Sequence, residues 1–391
     1  MSEEKKHYVA YAGTYTTGSS HGIHIYDVDV ETGSLFLRRV VPVRNCSYLT
    51  PSKDGRFIYS LADEGVQVFE VQPDGDLVAI NKILIDGMRG HHLTVDKNGR
   101  YVFIGGYHDG KVTMIHTHKD GSLGSQMDGI YHKGVGGIRE RSWRPHVTCV
   151  RVTPDNRFLC AVDSALDMVA IYRIDTKANK LVPTDCLRMG RVAGPRVIHF
   201  TKDRRFAYIL CEISCSVRVY KYWNDENGFP KFEYLEEYSV LQGKQDIYDC
   251  ACSMRFSRDE DYLYTTAGGD NSVAIFRIDK ETGRLTRVLA LPIGGIYPKD
   301  ANLFPNEKYL AVCNNKSNTI AVFAVDFEKG TLALKGKPQK IDQPNCLFFR
   351  RIERAPDVIR NISNEEAEAE AAEEIRREKA VIASALESME P

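Results

Sequence analysis

The chain has 391 residues, of which 43% are hydrophobic and 10% aromatic, and its net charge at pH 7 is −1. This is the composition of a soluble globular protein, long enough for two domains or one large repeat fold. The balanced charge provides no electrostatic basis for binding nucleic acid or an anionic membrane. The sequence contains no run of 18 apolar residues, the length that a helix needs to span a bilayer. Residues 1–6 are followed by no apolar signal core, so we expect a cytoplasmic protein.

The ten cysteines are scattered along the chain. The two closest pairs, Cys211/Cys215 and Cys250/Cys252, lack the CxxC spacing of a zinc or redox site. We interpret them as free thiols that pack as small hydrophobic side chains in a reducing compartment. We therefore predict no bound metal and no cofactor.

One pattern of a short strand, a polar turn and a second strand beginning on an aromatic residue occurs six times. Asp, Asn and Gly in the turn tolerate its tight backbone, and β-branched and aromatic residues on both sides favour strands. The six copies span residues 49–59, 93–103, 150–160, 198–208, 254–264 and 301–311.

A further apolar strand follows each copy, and an additional one occurs near the N-terminus, which makes seven. Tyr26 and Phe323 end the first and last of these strands, six repeats apart, so the period is (323 − 26)/6, or near 50 residues. Several strands in a repeat of this length predict a β-propeller, in which each blade buries a face against its neighbours. The fold class is therefore all-β.

The two ends of the chain predict how the ring closes. The N-terminal copy begins with its second strand, at 8–12, and a suitable first strand occurs at 345–351. One blade shared between the termini would remove the open edges of the array. We predict a seven-bladed propeller domain over 8–354.

Residues 355–391 form a separate tail with no strand character. A possible capping box at 363–366 precedes an Ala/Glu-rich segment with a sparse apolar stripe of Ile375, Ile382, Leu386 and Met389. We predict a short C-terminal helix. It docks on the propeller, mediates a homo-oligomer or remains frayed in solvent, since isolated helices of this length are marginal.

Equivalent positions of the six copies can be compared within this one chain. The reference is the turn residue of each copy: Asp54, Asn98, Asp155, Asp203, Asp259 and Asn306. Seven residues earlier lie Ser47, His91, Thr148, Arg196, Cys252 and Lys299. Nine residues earlier, with the same strand parity, lie Asn45, Arg89, His146, Gly194, Cys250 and Tyr297. Nine residues after the reference lie Asp63, Tyr107, Ser164, Glu212, Gly268 and Asn315.

These polar residues mark one end of every blade, because a strand's entry and its antiparallel partner's exit lie at the same end. We therefore predict a site at one mouth of the central channel. Simpler interpretations remain for each residue: His146 bonds only a neighbouring carbonyl, and Arg196 with Glu212 forms a structural ion pair. A metal site at His91 and His92 is disfavoured, because adjacent strand residues point to opposite faces.

The sequence resembles the seven-bladed propeller lactonases, which include cycloisomerase-type 6-phosphogluconolactonases and carboxy-cis,cis-muconate cyclases. The resemblance covers about residues 8–352. It is carried by the motifs at 13–16, 22–23, 29–33, 145–146, 194–196 and 270–279, together with Glu212. It implies that the chain is an enzyme, a lactonase, and that His146, Arg196 and Glu212 are its catalytic residues.

Four positions differ from what is common in that family. Thr148 and Val197 stand where histidines are common, Gly268 where an arginine is, and Gly106 where an asparagine is. A phosphorylated sugar acid needs cationic partners, and Lys299, Arg144 or Arg89 can replace the arginine. The substrate-binding residues that we predict are His91, His92, Arg144, Lys299 and Tyr107.

Our hypothesis is hydrolysis of a sugar-acid lactone. Glu212 or His146 is the general base, and Arg196 stabilises the oxyanion or holds an anionic group of the substrate. The partner is then a small-molecule lactone or sugar acid. The alternatives are a muconate-type lactonising cyclase, which runs the same chemistry in reverse, and a propeller without catalysis that binds a sugar acid or another protein.

Overall fold

The computed structural model describes residues 6–136 and 143–387, with side chains as far as residue 384. Seven antiparallel sheets follow one another around a ring, and each is a blade whose first strand faces the central channel. The prediction of a seven-bladed β-propeller is confirmed.

The first blade is built from both ends of the chain. Its strands are β1 (His7–Thr14), β2 (Gly22–Asp29) and β3 (Ser34–Pro42), and its innermost strand is β29 (Pro344–Ile352). The order in the sheet is β29-β1-β2-β3, and β1 pairs with β29 over its whole length. The predicted closure is therefore present, and β29 covers the edge of β1 that would otherwise be open.

Five blades are four-stranded meanders running from the channel outwards in chain order. The second blade comprises β4 (Leu49–Pro51), β5 (Phe57–Ala62), β6 (Gly65–Val71) and β7 (Leu77–Leu84). The third comprises β8 (His92–Val95), β9 (Tyr101–Gly105), β10 (Lys111–Thr117) and β11 (Leu123–Tyr131). The fourth comprises β12 (Val147–Val152), β13 (Phe158–Asp163), β14 (Met168–Asp175) and β15 (Lys180–Arg188).

The fifth and sixth blades repeat this arrangement, and the seventh varies it. The fifth comprises β16 (Pro195–Phe200), β17 (Phe206–Cys211), β18 (Ser216–Asn224) and β19 (Pro230–Ser239). The sixth comprises β20 (Cys250–Phe256), β21 (Tyr262–Gly268), β22 (Ser272–Ile278) and β23 (Leu285–Pro292). The seventh has β24 (Pro298–Leu303), β25 (Tyr309–Asn314) and β26 (Thr319–Asp326), with β27 (Thr331–Leu334) and β28 (Gln339–Lys340) sharing the outer edge of β26.

Neighbouring blades are joined by apolar packing and by a recurrent tyrosine contact. Buried side chains of adjacent sheets form shared clusters, as between the fifth and sixth blades. Tyr59 and Tyr208, on second strands, donate their hydroxyls to the carbonyls of Gly121 and Gly283 in the next blade, at 3.1 and 2.7 Å. Both glycines have positive φ, and a Cβ on either would lie within 2.5 Å of a phenylalanine ring. Only glycine suits these two turns.

The C-terminal helix α1 (Asn364–Glu387) packs on β3 of the chain's own first blade. The Ser363 hydroxyl accepts a hydrogen bond from the Glu366 amide at 3.1 Å, as an N-cap residue does. Ala367 and Ala371 are buried among the apolar residues of the first and seventh blades. The helix docks on its own propeller, and the prediction of a homo-oligomer through it stays untested.

The packing face of α1 differs from the predicted stripe. Small alanines near its N-terminus make the contact, because they let the helix approach the sheet closely. Ile382 is exposed, Met389 lies outside the described residues, and the Leu386 side chain is not described. No helix in the described part of the chain is both long and apolar enough to cross a membrane.

Candidate active site

A cavity of about 190 Å³ lies in the central channel and is lined by residues from all seven blades. The six residues located seven positions before each turn all lie on its wall: Ser47, His91, Thr148, Arg196, Cys252 and Lys299. Repeat comparison within one sequence therefore identified this ring of wall residues in six of the seven blades.

A β-bulge explains why these residues face the channel. In the fourth to seventh blades the pairing of the first two strands shifts by one residue at Thr148, Arg196, Cys252 and Lys299, and each is left without a cross-strand partner. Asn345 has the same position in the first blade and also lines the cavity. A bulged residue is turned away from the regular pleat, and bulges of this kind recur beside active sites.

The same bulge corrects one step of the sequence argument. We predicted that residues nine positions before the turn share a side with those seven before it. An inserted residue breaks the alternation of side chains along a strand. None of the residues nine positions before the turn lines the cavity. His146 and Arg89 therefore lie outside its wall.

Arg196 and Glu212 form a buried ion pair in the fifth blade. Nη1 of Arg196 contacts Oε2 of Glu212 at 2.5 Å, and Nε donates to the carbonyl oxygen of Cys252 at 2.7 Å. The Arg196 side chain is 8% exposed and that of Glu212 is 22% exposed. Glu212 directly follows the end of β17, and Arg196 lies near the start of β16. The start of one strand and the end of its partner therefore lie together, as predicted.

The Glu212 carboxylate stabilises the positive charge of Arg196. Burial alone would lower the pKa of this guanidinium, but the adjacent Glu212 carboxylate outweighs that effect and the pKa is raised. Arg196 therefore remains cationic at a largely buried position, where a fixed positive charge acts most strongly on a nearby oxyanion.

His146 reaches the cavity through a chain of aromatic rings. Its imidazole stacks on Tyr107, with ring centres 4.2 Å apart and planes within 8°, and its Nδ1 lies against the Tyr107 carbonyl. The Tyr107 ring in turn lies 5.4 Å from that of His91, which is on the cavity wall. The backbone amide of His146 donates to Asp163 Oδ1 at 3.0 Å. His146 is held firmly, one ring removed from the cavity.

His91 and His92 both line the cavity, whereas we predicted opposite faces for them. The strand β8 begins at His92, so His91 precedes the regular pleat and strict alternation does not apply to it. Nδ1 of His91 lies 3.0 Å from the Thr148 carbonyl, and Nδ1 of His92 accepts from the Val150 amide at 3.3 Å. Burial, reinforced by nearby cations, lowers the pKa of each well below its usual value.

No three His, Cys, Asp or Glu side chains within 6–136 and 143–387 are placed to hold a metal ion. Neutral His91 and His92 instead supply hydrogen bonds on the wall.

Lys299 and Cys252 complete the mouth next to Arg196. Lys299 lies over the ring of Tyr297, 5.5 Å from its centre. The Cys252 thiol lies 3.7 Å from that of Cys250. The hydrogen bond from Cys250, together with the charges of Arg196 and Lys299, lowers the pKa of Cys252 despite its burial.

Two of the predicted binding residues, Tyr107 and Arg144, are not on the cavity wall. Tyr107 lies behind His91, and the guanidinium of Arg144 lies 4.9 Å from the centre of the Trp143 ring. Arg89, a proposed replacement for the missing family arginine, lies over Tyr15 at 5.1 Å. Of the three cations considered for that role, only Lys299 lines the cavity.

Deeper in the channel lies a second polar tier that our sequence comparison missed. It contains Arg151, His199 and Arg255, each four residues before its turn, and Asp300. Nε and Nη2 of Arg255 bind Oδ1 and Oδ2 of Asp300 at 3.1 and 2.7 Å. The signal was present, because a cation or imidazole recurs at this position in three successive first strands of otherwise apolar character.

Comparison with known proteins gives this arrangement a family. A family model described as "Lactonase, 7-bladed beta-propeller" matches residues 9–349. The chain belongs to this family. The resemblance inferred from the sequence motifs is therefore confirmed.

The family members with detectable similarity cover nearly all of the propeller. A 6-phosphogluconolactonase of Bacillus subtilis is 28% identical over 348 residues, 88% of this chain and 98% of its own. The structure of a putative 6-phosphogluconolactonase from Bacteroides fragilis is 30% identical, with a TM-score of 0.81 over 90% of this chain and 99% of its own. The periplasmic gluconolactonase of Pseudomonas aeruginosa is 26% identical, with a TM-score of 0.82 over 88% and 99%.

Proposed function

We propose that the protein hydrolyses the internal ester of a sugar-acid lactone, as a 6-phosphogluconolactonase does. The observation that carries this proposal is Arg196, a fixed cation on the cavity wall, in direct contact with the carboxylate of Glu212, which lies behind it and is not itself a wall residue. The names of the relatives from Bacillus subtilis and Bacteroides fragilis support the substrate class.

Ester opening requires a stabilised oxyanion and an activated water. The substrate's carbonyl oxygen accepts hydrogen bonds from the Arg196 guanidinium, which neutralises the charge that develops as water attacks. Glu212 takes the proton from that water as general base. When the tetrahedral intermediate collapses, the C–O bond of the ring breaks and protonated Glu212 returns the proton to the departing alkoxide. The product is the open hydroxy acid.

Glu212 is preferred to His146 as the base because it contacts Arg196 directly, so base and oxyanion donor act on one carbonyl. His146 lies behind Tyr107 and is given a positioning role. Through Tyr107 it sets the ring next to His91, which faces the substrate on the wall. Loss of His146 should therefore affect KM and kcat together, whereas loss of Glu212 should affect kcat.

The proposal is tested by following proton release from glucono-δ-lactone and 6-phosphoglucono-δ-lactone with a pH indicator, near pH 6.5. Spontaneous hydrolysis is subtracted by runs without protein. We expect catalysed release that falls about 10²–10³-fold in Arg196→Met. The matched control is Lys316→Met, which removes a cation outside the cavity wall and should leave the rate unchanged.

Three outcomes are informative. Release that depends on Arg196 and Glu212 supports hydrolysis. Ring closure of an unsaturated diacid, without lactone opening, would support a cyclase instead. Saturable binding of gluconate with no reaction on any lactone would overturn the enzymatic proposal and leave a binding propeller.

A further inference from the structure

The deeper tier of the cavity is rich in cationic groups that the proposed reaction does not use. Arg151, Arg255, His92 and His199 lie on one continuous wall with Arg196 and Lys299. We propose that Arg151 and Arg255 form a second anion subsite, which takes the phosphoryl group of the substrate while Arg196 acts on the lactone carbonyl. This assignment rests on the proposed function for the identity of the lactone, but the phosphoryl binding itself does not.

Arg151 is the centre of the subsite, because within the described residues its charge is not paired with a carboxylate. No carboxylate in the described ranges 6–136 and 143–387 forms an ion pair with it, and its buried Nε has no hydrogen-bond partner there. An orphaned guanidinium nitrogen on a cavity wall is costly unless a ligand satisfies it. A tetrahedral oxyanion offers the acceptors that this planar donor fork binds in pairs.

Arg255 is held in place and leaves one edge for a ligand. Asp300 occupies its Nε and Nη2, and the Asp300 Oδ2 also accepts from the Leu347 amide at 3.0 Å. No described residue hydrogen-bonds its Nη1. Arg255 is therefore a preorganised donor, whereas Arg151 supplies the uncompensated charge.

Two neutral imidazoles lie beside these guanidinium groups. His92 lies within 4.3 Å of Tyr48, ring centre to ring centre, and His199 is on the strand next to that of Arg151. Burial and the charges of Arg151 and Arg255 lower the pKa of both imidazoles. As neutral rings they add no further positive charge beside the two guanidinium groups.

The charges on the wall favour a dianion. Four cationic side chains line the cavity, namely Arg151, Arg196, Arg255 and Lys299, and two carboxylates, Asp300 and Glu212, pair with them. Four positive less two negative charges leaves two positive charges. A phosphomonoester carries close to two negative charges at neutral pH, whereas an unphosphorylated lactone carries none.

The separation of the two tiers agrees with a substrate that has two ends. Arg151 is three residues beyond Thr148 on β12, and Thr148 has the same position in its blade as Arg196. At a rise of about 3.3 Å per residue, this places the two backbone positions about 10 Å apart along the channel. Long guanidinium side chains reaching from both levels can then hold opposite ends of one phosphorylated lactone.

The test compares the binding of 6-phosphogluconate, gluconate and inorganic phosphate by calorimetry at pH 7.5. Wild-type protein should bind 6-phosphogluconate at least about tenfold more tightly than gluconate, and should bind phosphate weakly. Arg151→Met should abolish that preference and leave gluconate affinity unchanged within about twofold, because one hydrogen-bonded charge is worth about ten- to a hundredfold. Arg151→Lys should restore part of it, and Lys316→Met should bind as wild type does.

Far-UV circular dichroism and a thermal melt establish that each variant is folded. Equal affinity of wild type for the two sugar acids, or an undiminished preference in Arg151→Met, would overturn the subsite. Should every lactone remain unhydrolysed while the preference is present and depends on Arg151, the subsite stands and the proposed hydrolysis fails. If wild type and Arg151→Met hydrolyse both lactones equally fast, the proposed hydrolysis stands and the phosphoryl subsite fails.

Discussion

Nε of Arg196 donates to the carbonyl oxygen of Cys252, 2.7 Å away in the next blade. The same guanidinium contacts Glu212 in its own blade. The proposed catalytic cation is therefore held by contacts in two blades before any substrate arrives. Preorganisation of this kind is what an oxyanion-stabilising group requires, because no energy is spent on orienting it during the reaction.

Replacing Arg196 with lysine should be far from conservative. A lysine retains the charge, but one ammonium group cannot reproduce the fork that reaches Glu212 and the Cys252 carbonyl together. We expect Arg196→Lys to lower kcat by about 10²-fold with a smaller change in KM, measured by proton release on the best lactone. A variant with wild-type kcat would mean that charge alone suffices and that the two-blade anchoring has no catalytic role.

The stability of the propeller should fall as the pH is lowered below about 6.5. The pKa values of His91, His92 and His199 are lowered well below 6.5 in the folded state, so unfolding takes up protons in this window. A group of this kind stabilises the fold above the unfolded pKa and loses that contribution as the pH falls towards the folded pKa. Each imidazole contributes a slope of up to about 1.4 kcal/mol per pH unit.

Urea unfolding between pH 7.5 and 5 measures this slope. The free energy of unfolding should decrease with falling pH. In His92→Asn the slope of this free energy against pH should be smaller by about the contribution of one imidazole. The matched control is His118→Asn, at an exposed turn, which should leave the slope as it is. A flat profile in the wild type would show that these imidazoles are not kept neutral.

A single carboxylate should hold the C-terminal helix on the first blade. Oxygens of Glu368 lie 2.9 Å from ring nitrogens of His21 and His24, and its side chain is only 7% exposed. Burial would raise the pKa of Glu368, but the two histidines outweigh it and the pKa is lowered. Glu368→Gln leaves the buried imidazole of His24 and the half-buried imidazole of His21 with a weaker acceptor, at a cost of about 1–2 kcal/mol.

Amide hydrogen exchange measures this loss of stability in the helix itself. Amides of α1 should exchange about tenfold faster in Glu368→Gln, while those of the blades keep their rates, since 1.4 kcal/mol corresponds to a factor of ten. Glu378→Gln, on the exposed part of the same helix, is the control. Unchanged exchange in Glu368→Gln would mean that Ala367 and Ala371 alone hold the helix.

The ring of blades followed from the sequence because its strands recur with one turn chemistry. The aromatic residue after each turn and the apolar strand that follows it are local features, and seven repetitions leave few architectures. Closure was also predictable, since a missing first strand at residue 8 and a spare one at 345 complement each other. These features depend on pattern, and pattern is what a single sequence contains.

The cavity was predicted only in part because the bulges have no residue signature. The comparison of equivalent positions placed Arg196 and Lys299 correctly in one ring of residues. It also placed His146 beside them, which is wrong because the inserted residue of the bulge breaks the alternation of side chains. Arg151 was overlooked because it lies in the middle of an apolar strand rather than at its end. Its significance depends on the absence of a carboxylate partner in the described structure, which only coordinates reveal.

The most direct measurement is a double-mutant cycle on lactone hydrolysis with Arg196→Met, Glu212→Gln and the combined variant. If both side chains act on one carbonyl, the combined loss of kcat should be no larger than about that of the more damaging single change. Losses that multiply would show that the two residues act independently. Single variants with wild-type rates would contradict the account altogether and reduce the pair to a structural contact.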